Sequence, residues 1–150
     1  MLERDERVVS WAPLPGGGYA VATPLGLWLG DRRIAWHLVD HAVWRDGVLS
    51  VTEAVLVDDV LLVDQRPVSV RLDPPYDLPP TVQKRVTASV VRSELQPVTG
   101  GAARFVARRV AGRDGVTWFA RLEPGTPRTP AIAEAVRDRI AALSRTDGMV

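Results

Sequence analysis

The stretch YAVATPLGLWLGDRRIAWHLVDHAVW, residues 19–44, sets short apolar runs at regular intervals between turn-forming residues. The runs are rich in Val, Leu, Ile and Trp, which suit a half-buried strand, while Gly, Pro and Asp stand between them. Strands at such short spacing are antiparallel and joined by tight turns. The pattern predicts a β meander over residues 8–72, with its first strands at 8–14, 19–23, 26–30 and 33–39.

Two Arg-Asp-Gly steps predict hairpins. Asp46-Gly47 stands between apolar segments, and a type I′ turn needs the positive φ that both residues tolerate. The same triplet recurs at residues 113–115, between ARFVARRV and VTWFARLE. We therefore expect a second hairpin within about 90–123.

The glycine run at residues 16–18 raises the question of a phosphate-binding loop. A dinucleotide fingerprint starting at Gly16 requires a sixth-position glycine, where Val21 stands, and a helix rather than a strand after the loop. A P-loop ends in Gly-Lys-Ser or Gly-Lys-Thr, and the only lysine is Lys84. A glycine-rich turn between two strands is the expected structure.

The second half of the chain contains the predicted helices. PPYDLPP, residues 74–80, is expected to break any regular element. Residues 81–91 have valines at helical spacing but are β-branched towards the end, which favours a short helix and then a strand. Thr129 and Pro130 suit the start of a C-terminal amphipathic helix over about 130–145. Its apolar stripe, which should dock on the sheet, comprises Ile132, Val136, Ile140 and Leu143.

Length and composition favour one cytoplasmic domain, residues 1–150, with one hydrophobic core. The absence of cysteine excludes disulfides, thiolate zinc sites and a cysteine nucleophile. No apolar stretch approaches the roughly 18 residues of a membrane-spanning helix, so we expect no membrane insertion. The expected fold class is α+β, an antiparallel β-rich bent sheet or small barrel capped by the C-terminal helix.

Residues 8–52 carry a resemblance to a known fold. One predicted strand ends in Thr23, the next starts at Gly26-Leu27, and a third contains Ile34 and Trp36. This succession of strands resembles bacterial pleckstrin-homology-like (PH-like) domains. It is also similar to small actinobacterial proteins of that type. The family fold has seven strands before one helix, so the resemblance implies a PH-like barrel with the terminal helix as its cap. A resemblance of this kind indicates the fold rather than the function.

The second hairpin supplies candidate anion-binding residues. Residues 1–75 carry 7 basic and 11 acidic side chains, a net charge of −4, whereas residues 76–150 carry 12 and 7, a net charge of +5. Strand alternation places Arg104 and Arg108 on one face and Arg109 on the other, with Arg113 at the turn. Arginines beside aromatic residues such as Trp118 are how many proteins hold single-stranded nucleic acid. A solvated arginine face is the simpler interpretation.

No complete catalytic or metal constellation is visible in the sequence. His37 and His41 have the spacing of a zincin helix, but Leu38 occupies the glutamate position, and no third histidine exists. A hydrolase or metal enzyme around these histidines and Asp40 is therefore the least supported hypothesis. The carboxylates of Asp58, Asp59 and Asp64 are of the type that does acid/base work or holds Mg²⁺, but Asp58-Asp59 between two apolar runs is more simply a solvated turn. We expect no metal site, no cofactor and no enzymatic activity.

The five tryptophans suggest either a shared core or a binding surface. Trp28, Trp36 and Trp44 recur every eight residues, as consecutive strands feeding one core would give. An exposed aromatic cluster lining a ligand groove is the alternative. The expected function is a non-catalytic protein-binding or self-associating module, in which apolar runs 54–57 and 60–63 are candidate dimer contacts. The alternative function is a nucleic-acid or anion-binding protein using the second hairpin.

Overall fold

The structure is a computed structural model that describes residues 2–3 and 5–148 of the chain. The fold class is α+β, as predicted, with mostly antiparallel strands and, in the described residues, two α-helices. The chain divides into two compact units: unit 1 comprises Met1–Ala54 and Asp64–Ser89, and unit 2 comprises Val55–Val63 and Val90–Val150. No described helix is both long enough and apolar enough to cross a bilayer.

Unit 1 contains two antiparallel sheets and a helix. The strands and the helix up to residue 89 are β1 (Ser10–Pro13), β2 (Tyr19–Ala22), β3 (Gly26–Leu29), β4 (Arg32–Ala35), β5 (Val39–Arg45), β6 (Val48–Val57), β7 (Leu61–Asp64), β8 (Val68–Arg71) and α1 (Leu78–Ser89). The first sheet has the order β1-β2-β3-β4, and in the second β6 pairs with both β5 and β8. Helix α1 follows β8.

Turn chemistry explains how the strands of unit 1 are joined. Asp46 and Gly47 have φ values of 53° and 78°, which confirms the predicted turn between β5 and β6. Gly17 and Gly18 also have positive φ, and the Leu14 N–H donates to the Gly18 carbonyl at 3.0 Å. The glycine run is therefore the β1–β2 turn, as predicted.

The predicted strand over residues 33–39 is wrong in its middle. β4 ends at Ala35, a single 3₁₀ turn covers Trp36–Leu38, and β5 begins at Val39. Trp36 and Val39 are both buried in the same core. Residues three apart on a strand point to opposite faces, so the 3₁₀ turn is what allows both side chains to face inward. The Trp36 indole N–H also donates to the Thr23 carbonyl at 2.7 Å.

The proline-rich break is shorter than residues 74–80, because α1 already begins at Leu78. Pro79 and Pro80 lie in the first turn, where backbone N–H groups have no acceptor within the helix. The first helical bond runs from the Thr81 N–H to the Asp77 carbonyl, at 3.2 Å. The prediction of a helix followed by a strand is confirmed, since β9 starts directly after α1.

Unit 2 is a sheet covered by the C-terminal helix. Its antiparallel strands are β9 (Val90–Val98), β10 (Gly101–Arg108) and β11 (Thr117–Leu122), and α2 spans Pro130–Gly148. The predicted N-cap is confirmed, because the Thr129 hydroxyl accepts from the Ile132 N–H at 3.2 Å. β7 pairs with β11 in parallel, a departure from the antiparallel prediction.

The expectation of a single hydrophobic core is wrong. One cluster lies in unit 1, where Leu78, Val82 and Val86 of α1 pack against the strands. A second lies in unit 2, where Ile132 and Val136 of α2 pack with strand residues. Each helix has its own apolar stripe, and each stripe covers strands of its own unit. In the run 60–63 Leu61 and Leu62 are buried, whereas Val55 and Leu56 of the run 54–57 are exposed, and a dimer contact through these runs stays a prediction.

Candidate functional site

Three exposed aromatic side chains pack on one another in unit 1. Trp11, Tyr19 and Tyr76 are 43%, 56% and 59% exposed. The Trp11 ring centroid lies 5.5 Å from that of Tyr19 in an edge-to-face pair and 5.1 Å from that of Tyr76. Such spacings are those of direct aromatic contact. We call these three residues the aromatic surface.

Strand alternation in the first hairpin directs two of these rings outward. β1 pairs with β2 so that Trp11 lies opposite Val21 and Pro13 lies opposite Tyr19. The intervening residues Ala12 and Ala20 are fully buried. Because successive side chains of a strand point to opposite faces, Trp11 and Tyr19 share the outer face of this sheet.

The third ring is positioned by the segment before α1. Tyr76 has φ of 50°, in the left-handed region that a bulky side chain rarely adopts. The next residue, Asp77, accepts a hydrogen bond from the hydroxyl of Ser10, which is the neighbour of Trp11. The Leu78 N–H donates to the Pro75 carbonyl at 3.2 Å across the same turn. Backbone strain of this kind is concentrated at functional sites in proteins.

The polar ends of the aromatic surface are available for binding. The Trp11 indole N–H and the Tyr19 and Tyr76 hydroxyls make no hydrogen bond to any other residue that the structure describes. The surface thus combines exposed ring faces with one indole and two phenol groups. Asp73 and Asp77 lie on either side of Tyr76 in sequence, and both are exposed.

The other tryptophans divide between core and surface. Trp28, Trp36 and Trp118 are buried, but of the three evenly spaced tryptophans only Trp36 belongs to a core cluster, and Trp118 lies in the core of unit 2 rather than on a surface beside the arginines. Trp44 is 36% exposed, so its assignment to the core is wrong. It is the penultimate residue of β5, beside the Asp46-Gly47 turn, and the last three residues of this strand are exposed. Among the described residues, Trp44 makes no ring contact with the aromatic surface and lies outside it.

A buried carboxylate fixes the N-terminal segment over Trp28. The Glu6 side chain is fully buried and accepts from the Trp28 indole at 2.9 Å, from Arg33 at 3.2 Å, and from the Thr23 hydroxyl. Burial alone raises the pKa of Glu6, but the hydrogen bonds from Thr23, the Glu3 N–H and Trp28, with the charge of Arg33, outweigh it. The pKa of Glu6 is therefore below its usual value.

This cluster explains why the Trp28 side chain is buried while the Trp11 side chain is exposed. Both side chains lie on the outer face of the first sheet, on either side of Val21. The Arg33 guanidinium lies 5.6 Å from the Trp28 ring centroid, and Glu6 takes its indole N–H. The sequence gives no signal for this role of Glu6, because its side-chain partners are 17 to 27 residues away.

The four predicted arginines have different environments. Arg104 and Arg108 share a face of β10, as predicted, and their Cα atoms are about 13 Å apart at strand rise. Arg104 donates to the Ser93 hydroxyl at 3.3 Å and lies 3.8 Å from the Glu123 carboxylate.

Arg108 is only 4% exposed, so little of it reaches solvent. Arg109 and Arg113 are exposed in the segment between β10 and β11. That segment is longer than the Asp46-Gly47 turn that it was expected to repeat, because the last register pair is Arg108 with Thr117. Anion binding by these arginines stays a prediction.

The histidine region forms a cross-strand link. Asp40 Oδ2 lies 2.6 Å from His41 Nδ1, and His41 Nε2 lies 3.3 Å from the Thr52 hydroxyl. This is the order of a carboxylate, imidazole and hydroxyl relay. Here, however, Thr52 is buried and is the register partner of His41 across β5 and β6. Among the described residues, no group of three or more His, Asp or Glu is placed to hold a metal ion.

The aromatic surface of unit 1 is thus an exposed and preordered group, built by the β1–β2 hairpin and the turn before α1. Its three rings come from positions that no local sequence motif connects. Comparison with protein-family models, with curated proteins and with solved structures finds no match to this chain.

Proposed function

We propose that this chain is a non-catalytic protein-binding module and that the aromatic surface is its binding site. The observation that carries the proposal is the packing of Tyr19 and Tyr76 on Trp11, three side chains that are each more than two-fifths exposed. Both tyrosines of the chain belong to it. Tyr and Trp are enriched at protein interfaces because they offer large rigid area at low conformational entropy cost, together with a polar end.

The chemistry of the surface favours an extended, proline-containing segment of a partner protein. Proline-rich segments dock on aromatic-lined surfaces, where the pyrrolidine rings pack on ring faces. Their backbone carbonyls are not used internally and accept from indole and phenol donors. Trp11, Tyr19 and Tyr76 offer such faces and donors. The exposed carboxylates of Asp73 and Asp77 favour basic residues beside the prolines.

The order of elements in unit 1 supports the idea of a PH-like module. Seven strands, β1–β6 and β8, contribute to this unit and are followed by α1. The PH-like fold has seven strands followed by one helix, which unit 1 matches when β7, most of which lies in unit 2, is left aside. We therefore assign the resemblance of residues 8–52 to unit 1, with α1 rather than the C-terminal helix in the capping position.

The proposal is tested by titrating the ¹⁵N-labelled full chain with a synthetic peptide of six prolines flanked by arginine pairs. The five tryptophans give five indole N–H signals, which single substitutions assign. We expect the Trp11 signal to shift progressively with peptide and the other four to move little. Trp11→Ala should abolish binding, whereas Trp44→Ala, which removes a comparably exposed indole outside the surface, should leave it unchanged.

A second peptide with glycines in place of the prolines separates ring packing from charge attraction. Equal binding of both peptides, or no shift of the Trp11 signal at about 1 mM peptide, counts against the proposal. So does an equal loss of binding in Trp44→Ala. A single-stranded oligonucleotide at low salt is the third probe, because binding that depends on Arg109 and Arg113 instead would favour the anion-binding alternative.

A further inference from the structure

Strand β9 leaves one edge of the unit 2 sheet unpaired. It pairs with β10 on one side, and no strand among the described residues pairs with its other side. The side chains along it remain accessible, with Val91 41% and Leu95 54% exposed. An edge strand presents a row of unpaired N–H and C=O groups, which is a template for pairing with another strand.

The register with β10 defines the two faces of β9. Arg92, Glu94 and Gln96 lie opposite Ala107, Phe105 and Ala103, on the face that α2 covers. Ser93 and Leu95 point to the other face. The register skips Val91 between Arg92 and Val90, so a bulge lies there and the regular ladder runs from residue 92 to residue 98.

Proline shows which backbone groups point to the free edge. Pro97 lies opposite Ala102 but has no N–H to give to β10, and proline in a sheet turns its nitrogen to the unpaired side. Hydrogen-bonding direction alternates along an antiparallel strand. Ser93 and Leu95 therefore direct their N–H and C=O groups to the free edge, alongside Pro97.

The charged side chains of β9 are already ordered. Arg92 lies over the Trp118 ring, 5.2 Å from its centroid, and 3.0 Å from the Glu94 carboxylate. The Gln96 amide donates to Glu94 at 2.7 Å and accepts from Arg139 of α2. Side chains held in this way lose less entropy when a partner binds.

We infer that two copies of this chain pair antiparallel through their β9 edges, about a two-fold axis at Ser93. In this register Ser93 lies opposite Ser93 of the other copy and exchanges two backbone hydrogen bonds with it. Arg92 of each copy lies opposite Glu94 of the other, in the closely spaced position between those bonds. Leu95 lies opposite Val91, so the exposed apolar side chains also meet. The inference is independent of the aromatic surface.

Neighbouring registers lack this complementarity. An axis at Arg92 places two arginines opposite each other, and an axis at Glu94 places two glutamates opposite each other, which is unfavourable. An axis at Leu95 places Ser93 opposite Pro97, where a backbone hydrogen bond is lost for want of an N–H. The axis at Ser93 combines opposite charges with the two backbone hydrogen bonds of the Ser93 pair.

Charge exchange tests the pairing without relying on one variant. Arg92→Glu and Glu94→Arg each replace two attractive cross-strand pairs by two repulsive ones, so each should weaken dimerisation roughly tenfold or more. The double variant R92E/E94R restores opposite charges and should restore the dimer. Sedimentation velocity of the full chain over a concentration series measures the effect, and Trp11→Ala should not alter it. A chain that stays monomeric up to about 1 mM overturns the inference, as does a double variant no better than the singles.

Cross-linking tests the register. The chain has no cysteine, so Ser93→Cys introduces a single thiol that the proposed axis brings against its own copy. A Cα separation of about 5.5 Å in a hydrogen-bonded pair lies within the range of a disulfide. We expect Ser93→Cys to form covalent dimers under mild oxidation several-fold faster than the control Leu95→Cys. Faster cross-linking through residue 95 would contradict the register.

Discussion

At the scale of single residues, Glu6 shows how one side chain secures a segment of chain. Its buried carboxylate joins the N-terminal segment to Thr23 in the β2–β3 turn and to Trp28 in β3. An ionised carboxylate buried in this way is stable only while its hydrogen-bond donors remain in place. Because the pKa of Glu6 is lowered in the folded chain, the free energy of unfolding depends on pH.

Because the pKa of Glu6 is lower in the folded chain than its ordinary value of 4.5, this group stabilises the fold above that value. Its contribution is lost as the pH falls through the folded-state pKa. We expect Glu6→Gln to reduce the free energy of unfolding at pH 7 by about 1–3 kcal/mol and to flatten its pH dependence below pH 4.5. Urea unfolding at several pH values, followed by tryptophan fluorescence, measures both effects.

The matched control is Glu3→Gln, because the Glu3 side chain is 60% exposed. It should change the free energy of unfolding much less than Glu6→Gln does. An unchanged acid dependence in Glu6→Gln would show that the carboxylate does not carry the effect.

At the scale of elements, α1 shows how position determines the effect of proline. The helix begins Leu78-Pro79-Pro80, and the prolines occupy the turn whose N–H groups have no acceptor within the helix. They therefore help to define where α1 begins and do not interrupt it. Two positions further on, Val82 enters the unit 1 core, and Val86 follows one turn later.

Proline substitutions along α1 should reproduce this asymmetry. Pro80 and Lys84 are both exposed, so the comparison involves the backbone rather than the core. We expect Pro80→Ala to change the free energy of unfolding by less than about 1 kcal/mol, and Lys84→Pro to reduce it by about 3 kcal/mol or more. Thermal unfolding by circular dichroism measures both variants, with Lys84→Ala as control. Equal costs at the two sites would place the start of α1 elsewhere.

At the scale of the whole molecule, the buried apolar residues form two clusters, one in each unit. Val82 of α1 and Val136 of α2 are both fully buried, each in the cluster of its own unit. Two helices with similar apolar stripes thus stabilise different sets of strands. The 150 residues are shared between two smaller cores, so each depends on few large side chains.

Truncating one valine in each core tests this division. We expect Val82→Ala and Val136→Ala each to cost about 2 kcal/mol, through lost burial and the cavity left behind. Native-state hydrogen exchange should show reduced protection chiefly in unit 1 for Val82→Ala and chiefly in unit 2 for Val136→Ala. An equal loss of protection throughout the chain in both variants would show one cooperative unit instead.

The sequence predicts the features that depend on local chemistry. Asp46-Gly47, the glycine turn, Thr129 as N-cap and the change from helix to strand near residue 90 are each determined by a few adjacent residues. The 3₁₀ turn at Trp36 and the Glu6 cluster depend on partners distant in sequence, which local patterns do not contain.

The sequence leaves an exposed aromatic cluster open as an alternative but does not indicate which residues form it. The reason differs from that for the 3₁₀ turn and the Glu6 cluster. Apolarity and size alone would place Trp11 and Tyr19 inside and Ala12 and Ala20 outside, whereas the structure has the opposite arrangement. The alternation itself is visible in the sequence, but which face is buried is decided by what packs against it. In unit 1 that includes the core-facing valines of α1.

In the proposed function, the β1–β2 hairpin keeps the side chains that bind a partner apart from those that fill the core. Its inward side chains are Ser10 and the alanines at positions 12, 20 and 22, and the alanines contribute little volume to the core. The outer positions 11 and 19 can therefore change size and polarity without forcing the interior to repack. Such a hairpin is suited to engineering, because new binding residues can be selected on its outer face while the core keeps its stability.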